Sequence, residues 1–346
     1  MSEKNGIGLV GSVIVDIVYE VLEPGNLVYS DGARYLAGDD HESEKIEFGT
    51  GGMALNNSIN LAKMGVSYPV RVIGKIGADE HGRRIRSFLR ENGNTDEYLI
   101  ETDEHQTSTT HVLHIRDSQE TINRTFRYYF GAMGSFNPDE IDFCVLENLR
   151  IIMIGYCLLM PLFDRVDDVY GAQIGKVLEK IRSMGISSCV DFVTPKREKW
   201  WKFKRFRKTL RWVDILSIGE DQAEGITGIP DERASVKSLV HDYGVKLAVV
   251  HCGEKGCNYL YSEKTGLISQ RIFDVPHDEF AGNAGAGDAF TSGLLHGIHE
   301  GWSEEKCLRY ATAAGTVSLG SLTTTGAMRD EAYILDYMNT RPIIPI

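Results

Sequence analysis

From residue 149 onward the chain alternates short apolar, β-branched runs with amphipathic stretches. "RIIMIGYCL", "SSCVDF", "VDILSIG" and "KLAVVHCG" read as strands, whereas "GAQIGKVLEKIRSMG" and "DERASVKSLVHDYG" carry helical spacing. Strands separated by helix-length crossovers pair in parallel. The rhythm therefore predicts βαβ units and a mainly parallel sheet with helices on both faces, a three-layer α/β/α architecture. Upstream, "IGLVGSVIVDIV" reads as one buried strand and "VRVIGKIG" as another. "GTGGMALNNSINLAKMG" reads as a helix with Leu55, Ile59 and Ala62 on one face and Gly65 as its stop. "DEHGRRIRSFLRENG" reads as an amphipathic helix with Ile85, Phe88 and Leu89 as its apolar stripe.

Two regions break the rhythm. Residues 20–48 mix short apolar pieces with turn formers, and 107–130 alternate as a hairpin around Asp117 to Glu120. Their strand-rich surroundings, about 17–48 and 95–130, are expected to form a small β lid beside the main sheet.

The 346 residues suffice for one large α/β domain or two smaller ones. A net charge of −12 argues against nucleic acid and anionic membranes as partners. Against that acidic whole, "KREKWWKFKRFRKTLRW" is locally basic and aromatic. It reads as an amphipathic surface helix with aromatics inward and Lys and Arg stems outward. Six cysteines carry no C-x-x-C pair, so neither zinc spacing nor a disulfide framework is present. With no secretory signal pattern and no apolar run of membrane-spanning length, the expected home is the cytoplasm.

The chemistry-bearing stretch is "AGNAGAGDAFTSG", residues 281–293. Its glycines let backbone N–H groups converge at the start of an apolar helix, where unpaired donors and the positive dipole end suit an anion. Asp288 in the first turn reads either as a cap or as a general base beside that anion site. Gly51 and Gly52 permit close backbone approach, and Asn56 offers an amide from the next helical turn. Asp16 is a carboxylate inside an apolar strand, costly there unless it is paired or faces a ligand. "GIGLVG" matches G-x-G-x-x-G formally but leads into a strand, so no dinucleotide site follows. The P-loop, H-E-x-x-H and G-x-S-x-G patterns are absent.

Together, "FGTGGMALNNSINLAKMGVSYPVRVIGKIGADEHGRRIRSFLRENG" and "GAGDAFTSGLL" resemble the two signatures of the ribokinase-like (PfkB) carbohydrate kinases. The resemblance runs from Gly11 to about Ala327 and implies a single kinase domain over 1–346, with a lid that closes over a sugar-like alcohol. It implies that Asp288 is the base and that the amides of Gly285, Ala286 and Gly287 form the hole for the transferring phosphoryl. By the same resemblance, Asp16, Gly51, Gly52, Asn56 and the lid residue Arg127 hold the acceptor, a sugar or sugar-acid. "HCGEKG" would be the nucleotide turn, with His251, Gly253 and Gly256, and Thr312 would stand near the nucleotide. ATP and Mg2+ are the implied cofactors, and lids that pair between subunits would make a homodimer. A nucleoside acceptor, supported by an aromatic pair drawn from Tyr128, Tyr129 and Phe130, and a regulatory homologue without turnover are the alternatives.

This sequence also departs from the family pattern. Gly282-Asn283-Ala284 replaces the common D-T-T, so activation by a monovalent cation should be weak or absent. The N-x-x-E metal motif falls on Gly219 to Gln222, leaving Glu220 and Asp221 as the available carboxylates. His251 replaces a Thr, and Thr312 an Asn. These changes gather on the nucleotide side and point to an altered phosphoryl donor or a slow kinase.

Overall fold

The computed structural model describes residues 4–22, 27–30, 33–36, 46–116 and 122–344. Among the described residues eight strands form the main sheet, in the order Gly266–Arg271, Cys257–Ser262, Leu247–His251, Ile215–Gly219, Ser187–Phe192, Ile151–Cys157, Ile7–Gly11, Val70–Ile73. The last six in that order are parallel, and the two at the other edge run antiparallel. From Ile151 to His251 each connection steps one strand in the same direction. Right-handed crossovers then place the helices Ile174–Ser183, Glu220–Thr227 and Glu232–His241 on one face. The connection from Ile7–Gly11 to Val70–Ile73 steps the opposite way and carries helix Met53–Met64 to the other face. There it packs against Ala286–His299, which in turn packs against Glu304–Val317. The sheet between these layers is almost wholly apolar, as strands covered on both faces require.

The reading of "IGLVGSVIVDIV" as one strand is corrected. The chain makes two, Ile7–Gly11 in the main sheet and Ile14–Leu22 in a second one. Gly11 is where it leaves: φ is +143, and a Cβ there would lie 1.8 Å from the Gly155 carbonyl oxygen. "VRVIGKIG" also divides, at Gly74, into Val70–Ile73 and Lys75–Gly77. A Cβ at Gly74 would meet the Gly11 carbonyl oxygen at 2.7 Å. Both glycines sit where two backbones approach more closely than a side chain allows.

Among the described residues the second sheet has four strands, ordered Ile122–Tyr129, Thr109–Arg116, Ile14–Leu22, Ile46–Gly51. Its extent differs from the expected 17–48 and 95–130. Within 95–108, strand Ile100–Thr102 pairs with Lys75–Gly77 and so belongs elsewhere. The hairpin of Thr109–Arg116 and Ile122–Tyr129 is present, while its expected tip around Asp117 to Glu120 lies outside the described residues. Parts of the 20–48 stretch lie outside them as well.

The basic aromatic segment is not an α-helix but two consecutive 3₁₀ helices, Arg197–Arg207 and Thr209–Trp212. The reason is visible in the spacing. Trp200, Phe203 and Phe206 recur every three residues, the 3₁₀ period. Phe203 and Phe206 are buried against Phe192, with ring centroids 5.9 Å and 5.0 Å away. No helix among the described residues is long and apolar enough to cross a membrane.

Candidate active site

The parallel strands end on one rim of the sheet, and the candidate residues gather over those carboxyl ends. Helix Ala286–His299 begins there. Gly285 enters it in the left-handed region, φ +77, and a Cβ would stand 2.3 Å from the Thr324 carbonyl oxygen. Only glycine makes this turn, which sets the first-turn amides of the helix at the rim. The Ala286 N–H leans on the Asn283 carbonyl at 3.4 Å.

Asp288 does not cap this helix; its N-cap is Gly285, which has no side chain to do so. The carboxylate is buried and reaches across to other elements. Oδ2 accepts from Asn56 Nδ2 at 2.8 Å, and Oδ1 from Asn57 Nδ2 at 3.3 Å. The Tyr156 hydroxyl lies 2.6 Å from both oxygens. Burial pushes the carboxyl up to about 6, against the pull of the hydrogen bonds from Tyr156, Asn56 and Asn57. A carboxylate that is ionised at neutral pH yet unusually basic is what proton abstraction requires.

Behind Asp288 the partners are themselves held. Asn56 Oδ1 accepts from Thr324 Oγ1 at 3.0 Å, and Ser292 Oγ lies 2.8 Å from Asn57 Oδ1. Helix Met53–Met64 can present two adjacent asparagines because it is buried nearly all round rather than on the single face expected. Gly52 starts it at φ +82, where a Cβ would lie 2.5 Å from the Ser12 carbonyl oxygen.

Across the second sheet, Gly49, Asp16, Thr110 and Tyr128 stand in register on four neighbouring strands and so share one face. Asp16 accepts a hydrogen bond from the Thr110 side chain. Burial, with the nearby Asp288 charge adding to it, pushes Asp16 up to about 8. Gly51 is required by that carboxylate, since a Cβ would lie 2.1 Å from Asp16 Oδ1. Arg127 is corrected by the same alternation. It pairs with His111, is exposed, and projects from the face opposite Asp16. Tyr128 is the residue of that strand turned towards the site, with Phe130 edge-on to it at 4.7 Å between ring centroids.

His251, expected on the nucleotide side, ends strand Leu247–His251. A Cβ built on Gly287 would contact its ring at 3.6 Å, and one on Gly219 at 3.4 Å. The imidazole therefore lies between the glycine turn that opens helix Ala286–His299 and the start of helix Glu220–Thr227. Desolvation pushes it down to about 4, so it is neutral. Gly253 opens a short turn, and Gly256 closes it at φ +79. Thr312 is buried, accepts from Asn258 Nδ2 at 3.0 Å and donates to the Leu308 carbonyl at 2.8 Å. Asn258 Oδ1 in turn accepts from the Cys252 N–H at 2.8 Å. Thr312 thus anchors the turn from behind, with its hydroxyl already committed. Glu220 Oε2 sits 3.3 Å from Lys255 Nζ, and Asp221 is exposed. Among the described residues no three His, Cys, Asp or Glu side chains cluster as metal ligands.

The model of the pfkB family carbohydrate kinases matches residues 7–331. The chain belongs to that family. As a pfkB carbohydrate kinase it is a phosphotransferase with an alcohol acceptor. Among its relatives, a ribokinase from Arabidopsis thaliana is 26% identical over 292 residues, covering 82% of this chain and 71% of the relative. Fructokinase-1 of Oryza sativa subsp. japonica is 24% identical over 302 residues, covering 84% and 88%. The Arabidopsis ribokinase complexed with ribose and ATP superposes with a TM-score of 0.76 at 23% identity, over 97% of this chain and 99% of that one. An E. coli protein assigned as ribokinase II, in complex with ATP and Mg2+, gives 0.75 at 15% identity, over 98% and 99%. These likenesses show the ribokinase-like α/β fold.

Three residues gathered around Asp288 escape the sequence reading: Asn57, Tyr156 and Asp191. Asp191 is buried, accepts from the Phe192 N–H at 2.6 Å, and is pushed well above the usual carboxylate range by burial and by Asp288. The available signal was position. Tyr156 and Asp191 are polar residues at the carboxyl ends of parallel strands, where ligands bind in such sheets.

Proposed function

We propose that this pfkB kinase transfers the γ-phosphoryl of ATP to a hydroxyl of a sugar or sugar-acid, with Asp288 as general base. The observation that carries the reading is the Asp288 carboxylate: buried at a helix start, held by three donors, and basic enough to take a proton near pH 6. Asp16 and Asn56 hold the acceptor hydroxyls in front of it, with Gly51 and Gly52 allowing the close approach. The second sheet closes over them as a lid and excludes water from the transfer.

The amides of Gly285, Ala286 and Gly287 receive the transferring phosphoryl, aided by the positive end of helix Ala286–His299. His251, Gly253 and Gly256 flank the nucleotide phosphates. Bound Mg2+ neutralises phosphate charge in such transfers. Mg2+ commonly needs only one or two protein carboxylates beside the phosphates, and Glu220 suits that demand. It is half-buried, next to the glycine that shares the His251 ring, with a lysine as its competing partner. Exposed Asp221 is the poorer fit. At Gly282 there is no carboxylate for a monovalent cation, and its N–H is bound to the Leu319 carbonyl at 3.1 Å.

A nucleoside acceptor is the second reading, favoured by Tyr128 on the face of the second sheet that carries Asp16, with Phe130 edge-on to it. The test is ATP consumption with magnesium across sugars, sugar acids and nucleosides. Turnover with a sugar or sugar-acid supports the first reading. Turnover with nucleosides alone replaces the acceptor class, and no turnover with any of them overturns the assignment.

A further inference from the structure

Asp288 receives hydrogen bonds from two sides. Asn56 and Asn57, neighbours on helix Met53–Met64, each take one oxygen. Tyr156 comes from the opposite side, at the end of strand Ile151–Cys157, and its single proton is shared by both oxygens at 2.6 Å. The asparagines are fixed in turn by Thr324 and Ser292, whereas among the described residues no other hydrogen bond of the Tyr156 hydroxyl restrains it. A bridging donor of this kind can retract to one oxygen without breaking, leaving the second oxygen open to an incoming hydroxyl.

We propose that Tyr156 is the positioning residue of the base: its hydroxyl bridges the Asp288 carboxylate, keeps it ionised, and yields one oxygen to the acceptor hydroxyl. This rests on the reading of Asp288 as the base. Burial pushes the phenol well above its usual range, with Asp288, Asp191 and Asp16 adding to the effect, so Tyr156 stays a donor throughout the working pH range. It offers the carboxylate a proton to share and never competes with it for the substrate's proton. Without this donor, desolvation would act on Asp288 opposed by the two amides alone, and its affinity for protons would rise. The other titratable groups facing the pair are Asp16, Asp191 and His251. Asp16, on the second sheet, is pushed to about 8 and Asp191, on the adjoining strand, well above the carboxylate range, while His251 falls to about 4.

The experiment is the pH profile of kcat/KM for wild type, Tyr156→Phe and Asp288→Asn, with a sugar that turns over. The acid limb of kcat/KM reports the base in the free enzyme. Loss of one hydrogen bond to a charged group should move that limb up by about one to two pH units in Tyr156→Phe. Its rate near pH 6 then falls about ten- to hundredfold below its own plateau. A lowered plateau with an unmoved limb marks a merely structural role and overturns the proposal. If Asp288→Asn keeps its rate, the base reading itself has failed. An inactive Asp288→Asn beside an unmoved Tyr156→Phe limb overturns the tyrosine's role alone. Should Tyr156→Phe fail to fold, 3-fluorotyrosine at position 156, a stronger donor, should move the limb to lower pH. An unmoved limb there also overturns the proposal.

Discussion

Asp16→Asn should stabilise the protein, by an amount that grows with pH. In the folded chain the Asp16 carboxyl is raised from 3.8 to about 8, chiefly by burial. The unfolded chain ionises near the lower value, so between the two the unfolded state holds fewer protons and stability falls as pH rises. The penalty is absent below the unfolded pKa and fully present above the folded one. At about 1.4 kcal/mol per pH unit, the wild type loses about 4 kcal/mol between about pH 5 and about pH 8 through this group. Asparagine keeps the shape and can still accept from Thr110, but it is neutral in both states. Urea unfolding at several pH values in that window gives the free energies directly. The gap between the wild-type and variant curves should widen by about 4 kcal/mol from the acid end of that window to the alkaline end. Parallel curves would mean that Asp16 carries no folded-state shift and would overturn the prediction.

Other outcomes follow from the same geometry. Gly51→Ala drives a Cβ to 2.1 Å from Asp16 Oδ1, so the acceptor KM should rise on the order of tenfold or more; an unchanged KM would remove Asp16 from acceptor binding. Replacing potassium by a large organic cation should leave the initial rate unchanged, because Gly282 supplies no carboxylate to hold the ion. A clear potassium dependence would contradict that account. Phe203→Ala, which empties a fully buried place against Phe192, should cost about 3–5 kcal/mol of unfolding free energy. A cost near zero would mean that the 3₁₀ segment is held by other contacts.

The parallel sheet was legible because strand and helix periods alternate plainly from residue 149, and "GAGDAF" marked the helix start that carries Asp288. What escaped the reading depends on close approach between distant parts of the chain. Gly11 and Gly74 interrupt apolar runs that propensity joins, because each must pass another backbone carbonyl. The aromatic segment took a period of three where the α-helical period was expected, a difference settled by Phe203 and Phe206 meeting Phe192. Arg127 was chosen for its charge, but strand alternation turned Tyr128 towards Asp16 instead. Tyr156 lies 132 positions from Asp288 in sequence, and nothing local announces their contact.

The measurement that bears most directly on the central claim is single-turnover phosphoryl transfer from ATP to a bound acceptor by Asp288→Asn, with acceptor affinity measured alongside. Loss of a general base predicts a transfer rate lower by about 10²–10⁴-fold, with acceptor binding close to wild type. A transfer rate within about threefold of wild type would contradict the assignment of Asp288 as the base.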